Sequence, residues 1–395
     1  MLRNLLTTAL LLILCTPPSV MAAYVTPKSA TAPLVTAFAR NGWVYGLRSD
    51  GSTVRLTAGT NALDPVLSPD RSRIAYFTAM RGHTDHYSRS ILRGIWTVGT
   101  RANPQTLVAN LQGTGSGALA WSPNGHWLAY VYRNAVALWA GRGSAPRVVA
   151  RFGSRHDLGF QPVIAWSRDS SKLAVPLPPA SLKQIPHNLS IVIVGVSRSP
   201  SKRIKVRFPQ DLMGSRTTAL GSHPTPDQIA WSADGSRLLM ATVVNGAGNS
   251  LTGIWSVSKG GGMARLVIGN RVGLATRLVD QRLVNATHFL VSPDWRHLVT
   301  DPNGRFWVAA INGTQGHMLP SRRPAACALA QFTWLTGGNG LAYVTLCSVG
   351  GTPDFRSTLY TVRLQTNRSQ KIVSVVSAEM DAVSLAPPVR CAACG

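Results

Sequence analysis

Apolar and polar positions alternate in short blocks along this chain, and one block recurs. In Ala120-Trp121-Ser122-Pro123-Asn124-Gly125-His126-Trp127-Leu128-Ala129-Tyr130 an apolar run enters a polar turn and a second β-prone run leaves it. Pro123 fixes φ for the turn, Asn124 and Gly125 suit its corner, and Leu128-Ala129-Tyr130 resumes the strand. The block returns at residues 164–170 and 229–235, and in weaker form at 66–70 and 290–294. A decayed copy, Phe332-Thr333-Trp334-Leu335-Thr336, is the sixth. Successive copies start roughly 45 to 65 residues apart, which is long for a tight repeat and calls for loop insertions.

Each copy opens a unit of four short β segments. In the first full unit these are residues 65–67, 73–77, 91–98 and 106–108, and in the second 118–121, 127–132, 136–139 and 147–150. The later units repeat this layout, and residues 272–284 alone have a pattern compatible with a helix. A lone four-stranded unit cannot cover both its faces, whereas units packed around an axis cover each other. The expected fold is therefore all-β, a single β-propeller. Residues 34–57 hold further β segments outside the six units, and residues 382–386 could add the inner strand of a blade whose other strands come from the N-terminus. That closure gives seven blades with both chain ends in one; six blades is the alternative.

Tryptophans recur at two phases of the repeat: Trp121, Trp166, Trp231 and Trp334 at the marker, and Trp96, Trp139, Trp255 and Trp307 further on, with Tyr360 in the sixth unit. Such regularity is expected of packing between blades.

These turns, with the downstream Ile-Trp-x-Val run, resemble the propeller repeats of the TolB-like family, over about residues 43–376. The nearest copy to that family's Trp-Ser-Pro-Asp-Gly consensus is Trp231-Ser232-Ala233-Asp234-Gly235, with Ala233 in place of proline; Arg71, Ser170 and Trp295 replace the glycine elsewhere. The resemblance implies the fold and a binding-scaffold role, and carries no catalytic residue.

The ends add a destination. Residues 1–22 read as an export signal: a basic start, an apolar run from Leu5 to Cys15, the break at Pro17-Pro18, and small residues near Ala22. Residues 23–33 are an Ala/Thr/Pro linker, 34–390 the propeller, and 391–395 a cysteine-bearing tail. The protein is expected to be secreted or otherwise extracytoplasmic, with an uncleaved N-terminal anchor as the alternative. An even set, Cys327, Cys347, Cys391 and Cys394, then remains for disulfides, in three conceivable pairings.

Forty basic residues, only seven of them lysine, against fifteen acidic ones give a formal charge of +25. Such a field attracts anionic lipid, polyanionic wall polymer, acidic glycan or nucleic acid in a salt-sensitive way, and of these nucleic acid conflicts with export. The most explicit binding candidate is the stretch containing Arg198, Lys202, Arg203, Lys205 and Arg207, where apolar residues alternate with cations as on a half-solvated strand. No nucleophile elbow, P-loop, dinucleotide fingerprint or His-Glu-x-x-His motif occurs. His83-Thr84-Asp85-His86 is the one compact group with metal-ligand chemistry, but no third ligand can be named, so neither a metal nor another cofactor is expected. The leading expectation is an exported, non-catalytic propeller that binds an envelope protein or an anionic surface polymer, with peripheral membrane contact as a variant. A propeller hydrolase or lyase acting on a glycan or wall polymer is the competing one.

Overall fold

The structure is a computed structural model. It describes residues 32–385 except 59–60, 85–89, 102–103, 115–116, 133, 142, 152–162, 178–187, 198–200, 209–227, 247–248, 270–288, 301–304, 312–313, 321, 323–326, 351–354, 367 and 378–382. The export signal read at residues 1–22, nearly all of the linker, the cysteine tail and residues 272–284 lie outside the described residues.

The described chain is all-β and forms a seven-bladed propeller of seven sheets. Blade 2 is β4 (Ala62–Leu67), β5 (Arg73–Thr84), β6 (Ser90–Gly99) and β7 (Thr106–Thr114), in that order from the inner to the outer edge. Blade 3 repeats it with β8 (Gly117–Trp121), β9 (Leu128–Tyr132), β10 (Ala135–Trp139) and β11 (Arg147–Arg151). Blade 4 holds β12 (Ala165–Trp166), β13 (Lys172–Leu177), β14 (Asn188–Gly195) and β15 (Lys202–Arg207). Blade 5 holds β16 (Gln228–Trp231), β17 (Arg237–Gly246), β18 (Asn249–Ser258) and β20 (Arg265–Gly269); between the last two, β19 (Gly262–Met263) leaves for the neighbouring blade. Blade 6 is β21 (Phe289–Val291) to β24 (His317–Met318), by way of β22 (His297–Thr300) and β23 (Trp307–Ala310). Blade 7 is β25 (Cys327–Trp334), β26 (Gly340–Ser348), β27 (Phe355–Arg363) and β28 (Arg368–Ser377).

Blade 1 joins the two ends of the described chain. Its outer three strands are β1 (Leu34–Arg40), β2 (Trp43–Arg48) and β3 (Thr53–Arg55), and its inner strand is β29 (Val383–Leu385), antiparallel to β1. The shared seventh blade expected from the sequence is present. The inner edge of β1 is thereby paired.

The hydrophobic core is divided. Seven clusters of buried side chains lie between neighbouring blades, such as Val136, Leu138 and Ala150 of blade 3 against Val192 and Val194 of blade 4. The inner-strand tryptophans add a directional term to this packing. Trp121, Trp166, Trp231 and Trp334 each donate the indole N–H to a carbonyl of the preceding blade's inner strand: Val66, Ala120, Ala165 and Leu290, at 3.0–3.1 Å.

The second tryptophan phase needs one correction. Trp96, Trp255, Trp307 and Tyr360 pair with Tyr76, Met240, Thr300 and Tyr343 of the second strands. Trp139 instead pairs with Leu128, which pairs in turn with Trp121, so it sits two residues further along its strand. Ala137 holds the equivalent of the Trp255 position. The link between second and third strands differs in length from blade to blade, and that hides the shift in the sequence.

The marker turns join inner to second strands, so all six emerge at one end of the ring. Ser68, Ser122, Ser167, Ser232 and Ser292 each donate the hydroxyl to the side chain two residues on, Asp70, Asn124, Asp169, Asp234 and Asp294. That carboxylate or amide in turn accepts the N–H two residues further on, which closes the turn. Where glycine is missing, Arg71, Ser170 and Trp295 still take the left-handed conformation, at φ of 61°, 60° and 62°. Adjacent turns touch. The Arg73 guanidinium donates to Gly125 O at 2.9 Å and stands 4.6 Å over the Trp121 ring; Asn124 N–H donates to Ser170 Oγ at 3.0 Å. In blade 7 the Thr336 N–H donates to Val35 O, which completes the circuit onto blade 1.

Candidate binding surface

Ile204 and Val206 alternate with charged residues in β15, and residues two apart on a pleated strand face the same way. Both are buried in the cluster between blades 4 and 5. Arg203, Lys205 and Arg207 therefore face the other way, and all three are exposed. Lys202 is exposed too, but strand parity puts it on the side of Ile204, at the strand's start. Arg198 lies outside the described residues. Three of the five cations read from the sequence thus form one row.

Backbone pairing fixes where the row looks. Arg203 pairs with Val192 and Lys205 with Ser190 on β14. Val192 packs against blade 3, so the row shares the blade-3 side of blade 4, at its outer margin. Arg147 of β11 reaches across the same gap and donates to Val196 O at 2.6 Å. No carboxylate lies within ion-pair distance of Arg203, Lys205 or Arg207 among the described residues.

A strap holds the strand in place. After β18 the chain turns through Lys259-Gly260-Gly261 and runs as β19 parallel to β15, pairing Val206 with Gly262 and Arg207 with Met263. Ala264 N–H then donates to Arg207 O at 2.7 Å. Gly261 has a φ of 90°, and a Cβ there would lie 2.7 Å from Lys205 O, so only glycine lets the strap approach this closely. This contact escapes sequence reading: two residues of one blade join the sheet of another, and the glycine run is its single local sign.

Four carboxylates among the described residues fasten the marker turns. Hydrogen bonds from Ser167 and Ser171 hold the Asp169 carboxyl at about 2. Those from Ser232 and Ser236 lower Asp234 further. For Asp70 and Asp294 burial pushes upward, but it is outweighed, so both end below the ordinary value. At Asp70 hydrogen bonds from Ser68 and Ser72 do this together with Arg73; at Asp294 it is hydrogen bonds from the Ser292 hydroxyl and the Arg296 N–H together with the positive groups beside it. These groups are ionised turn fasteners. Among the described residues no three His, Cys, Asp or Glu side chains converge as metal ligands. Asp85 and His86 of the His83–His86 group lie outside the described residues.

Other sulfur and basic groups have structural partners. Cys327 and Cys347, directly opposite on β25 and β26, are joined by a disulfide with Cα atoms 4.2 Å apart; Cys391 and Cys394 lie outside the described residues. Arg363 of blade 7 donates to Ser49 O of blade 1 at 2.8 Å. Part of the large arginine count therefore bridges blades. No helix among the described residues is long and apolar enough to cross a membrane.

No protein-family model and no curated relative matches the chain in sequence. Solved structures do match in fold. An oligogalacturonate lyase from Vibrio parahaemolyticus is 13% identical, with a TM-score of 0.50 over 87% of this chain and 86% of that one. A functionally unknown protein from Desulfotomaculum acetoxidans is 13% identical, with a TM-score of 0.49 over 90% of this chain and 99% of that one. A putative TolB from Agrobacterium tumefaciens is 14% identical, with a TM-score of 0.44 over 70% and 86%. At such identities the likeness is one of fold, and sequences this far apart share no function on that ground.

Proposed function

We propose that this propeller is a non-catalytic binding scaffold that works outside the cytoplasm on an anionic component of the cell envelope. One observation carries the reading: Arg203, Lys205 and Arg207 stand in an exposed row on a strand fixed from both sides, with no described carboxylate to neutralise them. A rigid strand presents charge at low entropic cost, because the backbone needs no reordering on binding. The surrounding positive field speeds encounter, and the local row supplies the register. The export signal read at residues 1–22 supports the compartment.

The test is retention from envelope extract on immobilised protein at low and moderate salt. The reading expects an anionic polymer or a defined envelope protein to be retained, and Arg203→Gln/Lys205→Gln/Arg207→Gln to lose it. Unchanged retention by that variant overturns the assignment of the row. Turnover of a retained polymer overturns the non-catalytic reading.

A further inference from the structure

Resting on that reading, we infer that the ligand is a linear polyanion that lies along β15 in the gap between the outer strands of blades 3 and 4. Arg203, Lys205 and Arg207 would each meet one anionic group.

The direction of the row is the first argument. Its cations share their side of the sheet with Val192, which is buried against blade 3, so they look sideways into the space between two blades. Cations turned toward a neighbouring blade present sideways to a flat bilayer, whereas a single extended chain can lie along them. Spacing is the second argument. Alternate residues of a strand lie about 6.6–7 Å apart, so the row offers three cations over about 13 Å along a straight line. A polymer carrying a phosphodiester or carboxylate in every repeat meets such a row in register, whereas a monovalent anion uses one position. The third argument concerns the walls. Arg147 stands on the blade-3 side, and β11, Arg-Val-Val-Ala-Arg, carries no acidic residue to repel the ligand. Two of the three cations are arginines, whose planar forks take phosphate and carboxylate bidentately. The strap through Gly261 and Met263 holds the backbone of Lys205, Val206 and Arg207, so the spacing is set before binding.

The experiment measures binding of glycerol-phosphate oligomers and of uronic-acid oligomers, one to six repeats long, to the intact protein by calorimetry. One or both series should tighten up to about three or four repeats and then level off. Which series does so separates phosphodiester from carboxylate ligands. Arg203→Gln/Lys205→Gln/Arg207→Gln should weaken the longest bound oligomer at least about tenfold and reduce the slope of log affinity against log salt by about 2. A control with equal charge loss on blade 7, Arg356→Gln/Arg368→Gln/Lys371→Gln, should change affinity by less than about twofold. Thermal melts of both variants show whether the fold is kept, and Arg203→Lys/Arg207→Lys, which keeps the charge, should lose only part of the affinity.

Equal losses in the two triple variants overturn the inference in favour of a general field. So does affinity that does not depend on length, or binding to phosphatidylglycerol vesicles with none to oligomers. If extract retention depends on the row while both oligomer series fail, the scaffold reading stands and the linear-polyanion inference falls.

Discussion

The indole N–H of Trp231 points across a blade interface at the carbonyl oxygen of Ala165, 3.1 Å away. Trp255, only a few residues along the same sheet, is equally buried, and its indole N–H has no partner among the described residues. The same side chain is thus used in two ways: one as a packed donor between blades, the other as packing alone, edge-on to Phe208 at 5.3 Å.

That contrast gives the first prediction. Trp231→Phe removes a hydrogen bond and strands a buried carbonyl, whereas Trp255→Phe removes a donor that was unpaired. Both lose similar volume. Trp231→Phe should cost about 1–2 kcal/mol more than Trp255→Phe in denaturant unfolding. Equal losses would mean that the indole bond contributes nothing.

The second prediction concerns acid. The Asp169 carboxyl is lowered from 3.8 to about 2, chiefly by the Ser167 hydroxyl and then by Ser171. A lowered folded value means that the ionised group stabilises the fold at higher pH. This contribution is complete above the unfolded value and fades as pH falls toward the folded one. Wild type and Asp169→Asn should therefore differ by a constant amount above about pH 5 and converge between about pH 4 and pH 2. A difference unaffected by pH in that range would contradict the fastening role. Asn124 holds the same position in blade 3 without a titrating group, so Asn124→Ala should show no such convergence.

Reduction supplies the third prediction. The Cys327–Cys347 bridge closes a segment with a sequence separation of 20, for which chain entropy alone gives about 3 kcal/mol. Because β25 and β26 are already paired along this hairpin, the measured loss should be smaller, about 1–2 kcal/mol. Cys327→Ser/Cys347→Ser and reductant should lower the melting temperature by the same few degrees. No change on reduction would contradict a stabilising bridge.

Much of the ring could be read from the chain because its turns are locally specified. Ser-x-Asp with a left-handed corner is a contact within a few residues, and it survives even where Arg71 or Trp295 replaces glycine. The closing blade was legible as well, since residues 34–57 and 382–386 were left over after six units. In blade 7 the marker nearly vanished: Leu335 stands for the serine, yet the backbone turn persists, with Leu335 N–H donating to Gly340 O at 2.8 Å. What the sequence hid is long-range. The two-residue shift of Trp139, the indole bonds between blades and the β19 strap all depend on how separate blades meet. On the surface, alternation alone revealed the solvated strand, but only the pairing of Arg203 with Val192 shows which neighbour its cations face.

The account depends on one closure, the pairing of β1 with β29, which joins the two ends of the described chain in one blade and makes the row of blades a ring. Ala39 and Ser384 are paired residues on those strands. Oxidation of Ala39→Cys/Ser384→Cys should join positions 39 and 384 by a disulfide, found by peptide mapping, and should raise the melting temperature over either single variant. A folded double variant in which these positions stay unlinked would contradict the closed seven-bladed ring.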